Sequence, residues 1–307
     1  MKKQLLIALS ICLLVQIPAR PYTFNFTGGN HDHWPSAPQY LINTNLSGSH
    51  VTVAGGRSVT QVVNAAFATW AAAPNSAANA TFAGTTSAGF NNSDHQNTIC
   101  FNCSGDFSQD ASTLAFTATS TDASGNILDA DILFNPAKEF TTDLTVGGQT
   151  AQDLETVAAH EIGHFFGISH SGVVRAMMFP FAPDLQRTLG YDDVMIVAQL
   201  YPVGGTVSAH TISGTVRLAG AAVFGAQVVA DSATNFESPG MLAANIRKTP
   251  ISALTDTTGT YSILVPDDTY EVYAEPLDEP MSNSDISDFA SHFGRSAVQT
   301  NFTTRWH

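Results

Sequence analysis

The chain has 307 residues and a formal net charge of −14, with 44% hydrophobic and 12% charged residues. These values exclude a wholly disordered chain and a collagen-like repeat, and the length favours two domains. The acidic charge argues against nucleic acid or an anionic membrane surface as the main partner.

The N-terminal residues have the pattern of a secretory signal peptide. Lys2 and Lys3 precede an apolar run over residues 5–17, and we expect cleavage after Ala19. The run is shorter than the roughly 20 residues that cross a bilayer, and no later segment is as apolar. We therefore predict a secreted protein with no membrane span, from which residues 1–19 are removed.

Two cysteines, Cys100 and Cys103, remain after removal of the signal peptide. In an oxidising compartment this pair is expected to close a small local disulfide. The alternatives are that the pair forms half of a zinc site or a redox couple. The sequence has no second cysteine pair to complete a zinc site, and no βαβ pattern of the kind that surrounds a redox couple.

Three segments, 58–74, 150–167 and 192–200, have the apolar spacing of helices. The first begins with a capping box formed by Ser58 and Gln61. Thr150, with Asp153 three residues later, is predicted to open the second helix, which ends at Gly167. The third helix is predicted to end before Pro202.

Short apolar pieces between Ser-, Thr- and Gly-rich turns predict β-strands elsewhere. Before the second helix, strands are expected at 113–117 and 132–134. A Gly-containing linker is predicted at 203–210, followed by strands at 211–217, 226–230, 261–265 and 270–274. Their spacing favours a small all-β sandwich over 211–275, whereas residues 276–307 receive no assignment.

The segment from His160 to His170 carries the clearest chemistry. On a helix, His160 and His164 present their imidazoles from successive turns toward one point. Gly167 can adopt the left-handed conformation that turns the chain, so that His170 returns as a third ligand. Three neutral imidazoles leave one position for water, which is the arrangement of a catalytic zinc site. Glu161 is placed to take a proton from that water.

These residues match the His-Glu-x-x-His-x-x-Gly-x-x-His signature, so the sequence resembles the metzincin zinc endopeptidases, which carry a methionine turn downstream. Ala176-Met-Met-Phe-Pro180 is similar to the matrixin form of that turn, with Met178 as the turn methionine. The resemblance is dense over 157–201. Upstream, residues 125–135 are similar to the sheet segment that precedes the active-site helix in bacterial matrixin-like proteins.

The resemblance implies an α+β fold over residues 20–202, in which a twisted, mainly parallel sheet accompanies the active-site helix. It also implies one catalytic Zn²⁺ on the three histidines, a glutamate general base, and protein or peptide substrates. In matrixins, one acid at the positions of Asp192 and Asp193 braces the methionine turn, and another can hold the mature N-terminus. A solvated helix N-terminus explains the two acids equally well.

Other matrixin features have weaker counterparts here. No cysteine motif that could hold the enzyme latent precedes the predicted catalytic domain. His31, His33 and His95 are candidates for a second zinc site by residue type. We favour the interpretation that they lie in solvated loops. Four residues, Asp122, Asn126, Asp129 and Asp131, offer oxygen ligands suited to Ca²⁺. An exposed acidic turn explains these residues equally well.

Residues 211–275 resemble the carboxypeptidase-regulatory-like and collagen-adhesin B-type sandwiches through Ile212-Ser-Gly-Thr-Val and Thr255-Asp-Thr-Thr-Gly-Thr-Tyr. Some members form a Lys–Asn crosslink. The one lysine after the linker is Lys248, and the first strand offers Arg217 instead, so we expect no crosslink. The resemblance implies that this domain spaces the protease or binds a surface or substrate.

The sequence thus predicts a secreted zinc endopeptidase. Two alternatives stay open. One is a cell-surface binding or adhesion module on a protease-like scaffold that no longer cleaves, although neither a ligand nor the base is missing. The other is a zinc hydrolase of non-peptide amides, which would share the metal site and differ in the shape of its cleft.

Overall fold

The structure is a computed structural model that describes residues 23–306, except 106, 108–111, 145–150, 182–184, 206–208, 234–248, 278–280, 282–284 and 287. The predicted signal peptide, Thr150 and Lys248 lie outside the described residues. Among the helices in the described part of the chain, none has the length and apolar character needed to cross a membrane.

The described residues before 202 contain ten strands. These are β1 (Phe26–Thr27), β2 (Asn30–His31), β3 (Gln39–Asn43), β4 (His50–Thr52), β5 (Thr81–Thr86), β6 (Thr98–Cys100), β7 (Ala115–Thr121), β8 (Ile127–Phe134), β9 (Glu139–Thr141) and β10 (Gln152–Asp153). Five of them form a central sheet in the order β5-β3-β6-β8-β7. Every pair is parallel except β7–β8, so the predicted mainly parallel sheet is confirmed and β7 lies at one edge.

Two long helices pack together beside this sheet, α1 (Val59–Ala71) and α2 (Leu154–Phe165). The predicted capping box of α1 is confirmed, because the Ser58 side chain accepts from the Gln61 N–H and the Gln61 side chain accepts from the Ser58 N–H. Trp70 at the end of α1 is fully buried, and its indole N–H donates to the Ala159 carbonyl of α2 at 2.7 Å. Burial of a side chain of this size contributes about 3 kcal/mol and fixes α2 against α1.

The start of α2 differs from the prediction. Asp153 is itself the N-cap, since its carboxylate accepts from the backbone N–H and the hydroxyl of Thr156, and the helix begins at Leu154. The predicted end is confirmed: Gly167 follows the C-cap with a φ of +87°, and a Cβ there would lie 2.0 Å from the Asp32 carbonyl oxygen. Glycine is therefore required where the chain turns toward the third histidine.

The remaining elements are α3 (Tyr191–Leu200), β11 (His210–Thr215), β12 (Arg217–Leu218), β13 (Ala221–Ala222), β14 (Gln227–Ser232), β15 (Ile251–Leu254), β16 (Thr260–Val265), β17 (Tyr270–Glu275), α4 (Asp288–His292) and β18 (Arg305–Trp306). The strands form an antiparallel sheet in the order β15-β14-β17-β18 and an antiparallel β11–β16 pair. The four strands predicted after the linker all occur, the first as β11 and β12, whereas β13, β15, α4 and β18 had no counterpart in the prediction.

The two halves of the chain pack against each other. Helix α3 contacts β15 and β16, and one apolar cluster includes core residues from both sides of the predicted linker, such as Val197 and Ile251. A second cluster joins Phe179, which follows the methionine turn, to Leu254 of β15 and to Phe289 of α4. The β-rich half and the C-terminal residues therefore lie directly on the half that contains the histidine motif.

Candidate metal centre and catalytic residues

The three predicted ligands meet at one point. Helix α2 places the ring centroids of His160 and His164 4.9 Å apart, and the turn after Gly167 brings His170 to 5.3 Å from the first and 4.8 Å from the second. One possible ligand atom from each histidine lies within 4.8 Å of the others. The i, i+4 spacing accounts for the first pair, and the chain reversal supplies the third.

Each of these imidazoles is oriented through its Nδ1 atom by a backbone carbonyl. The partners are Met177 for His160 at 2.8 Å, Ile168 for His164 at 2.7 Å, and Asp285 for His170 at 2.5 Å. Because a carbonyl oxygen can only accept, Nδ1 carries the proton in each neutral ring. The lone pair is therefore on Nε2, the atom left to bind a metal.

The Nε2 atoms of His164 and His170 are 3.2 Å apart. Two lone pairs at this distance repel each other unless a cation lies between them. Two nitrogens bound to one tetrahedral zinc at 2.0–2.1 Å are separated by about 3.3 Å. The donor set and its spacing therefore fit a zinc ion.

Burial keeps all three rings neutral. It lowers the pKa of His160 to about 3. Burial likewise lowers the pKa of His164 and His170. Neutral imidazole is the form that binds metal, so the ligands are ready at physiological pH without losing a proton.

Glu161 lies on α2 beside the metal site and is 4% exposed. The hydroxyl of Thr117, on the edge strand β7, lies 2.8 Å from the Glu161 carboxylate and 2.9 Å from its backbone carbonyl. Burial raises the pKa of Glu161 to about 7, and a cation beside it would favour the carboxylate. The two contacts from Thr117 thus hold the side chain in place.

The methionine turn is fastened to the start of α3 by Asp193. The Asp193 carboxylate, which is fully buried, accepts from the backbone N–H groups of Met177, Met178 and Gly190. Met178 is 1% exposed, and a Cβ at Gly163 of α2 would lie 2.1 Å from its sulfur. The turn therefore packs directly on the helix that carries two of the histidines, and only glycine permits the approach.

The other acid, Asp192, links the metal half to the β-rich half. Its carboxylate accepts from the hydroxyl of Ser171, next to the third histidine, and from the backbone N–H of Ser252 in β15 at 2.9 Å. Asp192 and Asp193 are 1% and 0% exposed, so the interpretation of a solvated helix N-terminus is wrong. Tertiary packing buries a helix end that local sequence would place in water.

Burial raises the pKa of Asp192 to about 7, which predicts a pH-dependent stability. The unfolded-chain value is about 3.9, so the folded protein binds more protons between these values and its stability falls as pH rises from about 4 to 7. We expect the wild type to lose a few kcal/mol relative to Asp192→Asn over this range, with a constant difference above about pH 8. Denaturant unfolding at a series of pH values measures the free energy of unfolding of both proteins. A difference between them that stays constant from pH 4 to 7 would contradict the raised pKa of Asp192.

The remaining metal candidates are not brought together. Within the described ranges, the three histidines of the motif are the one group of three or more His, Cys, Asp or Glu side chains placed to share an ion. His33 and His95 instead bond through Nδ1 to the carbonyls of His31 and Leu128.

The acids considered for calcium have other partners. Asp122 caps the turn before β8 by accepting from the N–H groups of Ser124 and Asn126. Asp129 and Asp131 accept from backbone N–H groups of the loop 91–98 and are fully or almost fully buried, so they do not belong to an exposed turn. Cys100 and Cys103 are joined by a disulfide at the end of β6, with Cα atoms 5.7 Å apart.

Two contacts at this centre were not predicted from the sequence. Thr117 lies in a predicted strand, but nothing local distinguishes it from the other threonines of that strand. Asp285 lies in a segment without an assignment and is 115 residues from His170. Only the three-dimensional structure relates either residue to the histidine motif.

Comparison with known proteins gives the same family as the motif. The sequence model described as Matrixin matches residues 41–202, more than half of the chain. The chain is 53% identical over 49 residues to karilysin of Tannerella forsythia, which is 16% of this chain and 10% of karilysin. It is 45% identical over 56 residues to Metalloendoproteinase 1 of Glycine max, which is 18% of each protein.

A third relative, Metalloendoproteinase 5-MMP of Arabidopsis thaliana, is 46% identical over 54 residues, covering 17% of this chain and 15% of that protein. The chain thus spans less than a fifth of the length of each of these three relatives. The family match, in contrast, extends from β3 to the residues after α3 and includes all three histidines and the methionine turn. The chain belongs to the matrixin family.

Proposed function

We propose that this chain is a secreted, zinc-dependent endopeptidase. The observation that carries the proposal is the convergence of His160, His164 and His170, each with Nδ1 held by a carbonyl and Nε2 directed to a shared point. Family membership and the names of the relatives, two of them metalloendoproteinases, support the same activity. The three histidines would hold one catalytic Zn²⁺.

When bound, zinc would act as a Lewis acid on both a water molecule and the carbonyl of the scissile peptide bond. Glu161 would take a proton from the attacking water and deliver it to the leaving amine. Thr117 would orient the carboxylate through its 2.8 Å hydrogen bond.

The edge strand β7 supplies a place for an extended peptide. An edge strand can pair with an added strand through backbone hydrogen bonds. Because Thr117 of β7 contacts Glu161, a peptide paired along this edge would pass the catalytic residues. The substrates we propose are therefore protein or peptide segments in extended conformation.

Secretion and the division of the chain belong to the same proposal. The basic and apolar pattern at the N-terminus supports removal of residues 1–19, and the family match over 41–202 supports the catalytic domain that we place at 20–202. The antiparallel sheets support a β-rich unit at 211–275 after the 203–210 linker, and one apolar cluster joins this unit to the catalytic half.

A mixed peptide library tests the activity. We expect the purified chain to cleave internal peptide bonds, a chelator to stop cleavage, and one equivalent of zinc to restore it. A zinc-loaded protein that cleaves no peptide in the library would contradict the proposal and favour the alternative of a silent binding module.

A further inference from the structure

The third histidine differs from the other two in how it is oriented. His164 and His160 bond to carbonyls 4 and 17 residues away, which lie in the motif and in the methionine turn. His170 bonds to the carbonyl of Asp285, 115 residues further along the chain. The orientation of one ligand therefore depends on a segment outside the residues that match the family.

The residues around Asp285 are anchored by apolar packing. Ile286 is 2% exposed and Phe289 is 6% exposed, and both belong to the cluster that contains Leu254 of β15. The same cluster contains Phe179, which directly follows Met178 of the methionine turn. The segment thus packs between the β-rich half and the methionine turn.

The N-terminal residues of the described chain hold the other side of the same loop. The hydroxyl of Thr23 donates to the carbonyl of His170, and the Thr23 carbonyl accepts from Ser169 N–H at 3.0 Å. The ring of Phe26 stacks on His292 of α4 with centroids 4.0 Å apart. Thr23 and Asp285 therefore both contact His170 in the loop that presents the third ligand, and Phe26 and His292 bring the two segments into contact with each other.

We propose that Asp285, Ile286 and helix α4 (Asp288–His292) form a positioning segment for the third zinc ligand. The inference rests on the proposed function and assigns a role to a part of the chain that the family match does not include. The Asp285 carbonyl holds the proton of His170 on Nδ1 and fixes the plane of the ring, so that Nε2 is directed at the zinc position. Groups that orient a ligand in this way commonly contribute 10- to 100-fold in metal affinity.

The proposal also changes the role of the β-rich half. Leu254 and Phe224 of that half support Ile286 and Phe289, and Asp192 bonds to Ser252 of β15. These contacts make the β-rich half a support of the metal site rather than a spacer. A substitution that loosens the positioning segment should then weaken zinc binding, although the histidine motif itself is unchanged.

The test compares two isoleucine-to-alanine variants in the full chain. Ile286→Ala loosens the positioning segment, whereas Ile263→Ala removes an equally large side chain that is fully buried in β16. We expect Ile286→Ala to weaken zinc binding by 10- to 100-fold, measured by competition with a chromogenic chelator, and Ile263→Ala to change it less than threefold. The visible spectrum of the Co²⁺-loaded protein should change in Ile286→Ala alone, because the ligand geometry changes there.

A second pair of variants separates positioning from general loss of structure. Phe289→Ala should repeat the loss of zinc affinity, and Phe289→Leu, which keeps an apolar side chain at the anchor, should restore most of it. Far-UV circular dichroism is measured on each variant. Unchanged zinc affinity in both Ile286→Ala and Phe289→Ala, or an equal loss in Ile263→Ala, would overturn the proposal.

The experiment does not depend on hydrolysis. A wild type that binds zinc and cleaves no peptide contradicts the proposed function, while the affinity comparison still decides the role of the positioning segment. A wild type that cleaves peptides, with Ile286→Ala and Phe289→Ala variants of equal zinc affinity, keeps the function and removes the positioning role.

Discussion

Replacing Glu161 with glutamine should lower kcat/KM for peptide hydrolysis by about 10²- to 10⁴-fold while zinc stays bound. The substitution keeps the shape of the side chain and the hydrogen bond from Thr117 but removes the group that accepts and donates the proton. Glu161 is not one of the three converging ligands, so metal content should not change. Kinetics on a peptide from the library, with zinc measured on the same sample, give both values.

Glu155 provides the matched control on the same helix. It is also a buried glutamate of α2, 7% exposed, but it pairs with Arg57 at 2.5 Å and contacts Arg187 rather than the metal site. Glu155→Gln should retain activity within a few-fold at a temperature where it is folded. Full activity in Glu161→Gln, or equal losses in both variants, would mean that Glu161 is not the base.

Replacing Asp193 with alanine should produce the largest loss of stability, about 3–5 kcal/mol. The fully buried carboxylate accepts three backbone N–H groups, from Met177, Met178 and Gly190. Removing it leaves these donors without an acceptor in a place that water does not reach, and each such group costs about 1–3 kcal/mol. Denaturant unfolding of the full chain measures the change in the free energy of unfolding.

Asp122 offers a control with similar bonds in a different environment. It also accepts two backbone N–H groups, from Ser124 and Asn126, but at a turn where water can replace the carboxylate. Asp122→Ala should therefore destabilise the fold much less than Asp193→Ala does. If Asp193→Ala were no more destabilised than Asp122→Ala, the methionine turn would not depend on this carboxylate.

The parts of the site that follow from local spacing could be predicted from the sequence. His160 and His164 share a helix face because they are four residues apart, and Gly167 marks the turn that returns His170. The capping box at Ser58 is equally local, and it is confirmed. In each case the residues that cooperate lie within about ten positions of one another.

Contacts between distant segments could not be predicted in this way. The contacts to the histidine motif and to Asp192 come from Asp285, Thr117 and Ser252 in other elements, and no periodicity relates these residues to the histidines. Burial of Asp192 depends on β15, a strand whose residues 251–254 are all buried and so lack the alternation that marks a half-exposed strand. The same contact explains why a helix N-terminus expected in water holds an acid with a raised pKa.

The zinc content of the protein, purified without chelators, shows directly whether the three histidines hold a metal ion. We expect one zinc per chain in the wild type and a loss of most of it in His164→Ala, because two imidazoles cannot replace the three that converge. A wild type without stoichiometric zinc, or a His164→Ala variant that keeps it, would contradict a catalytic zinc site at these histidines.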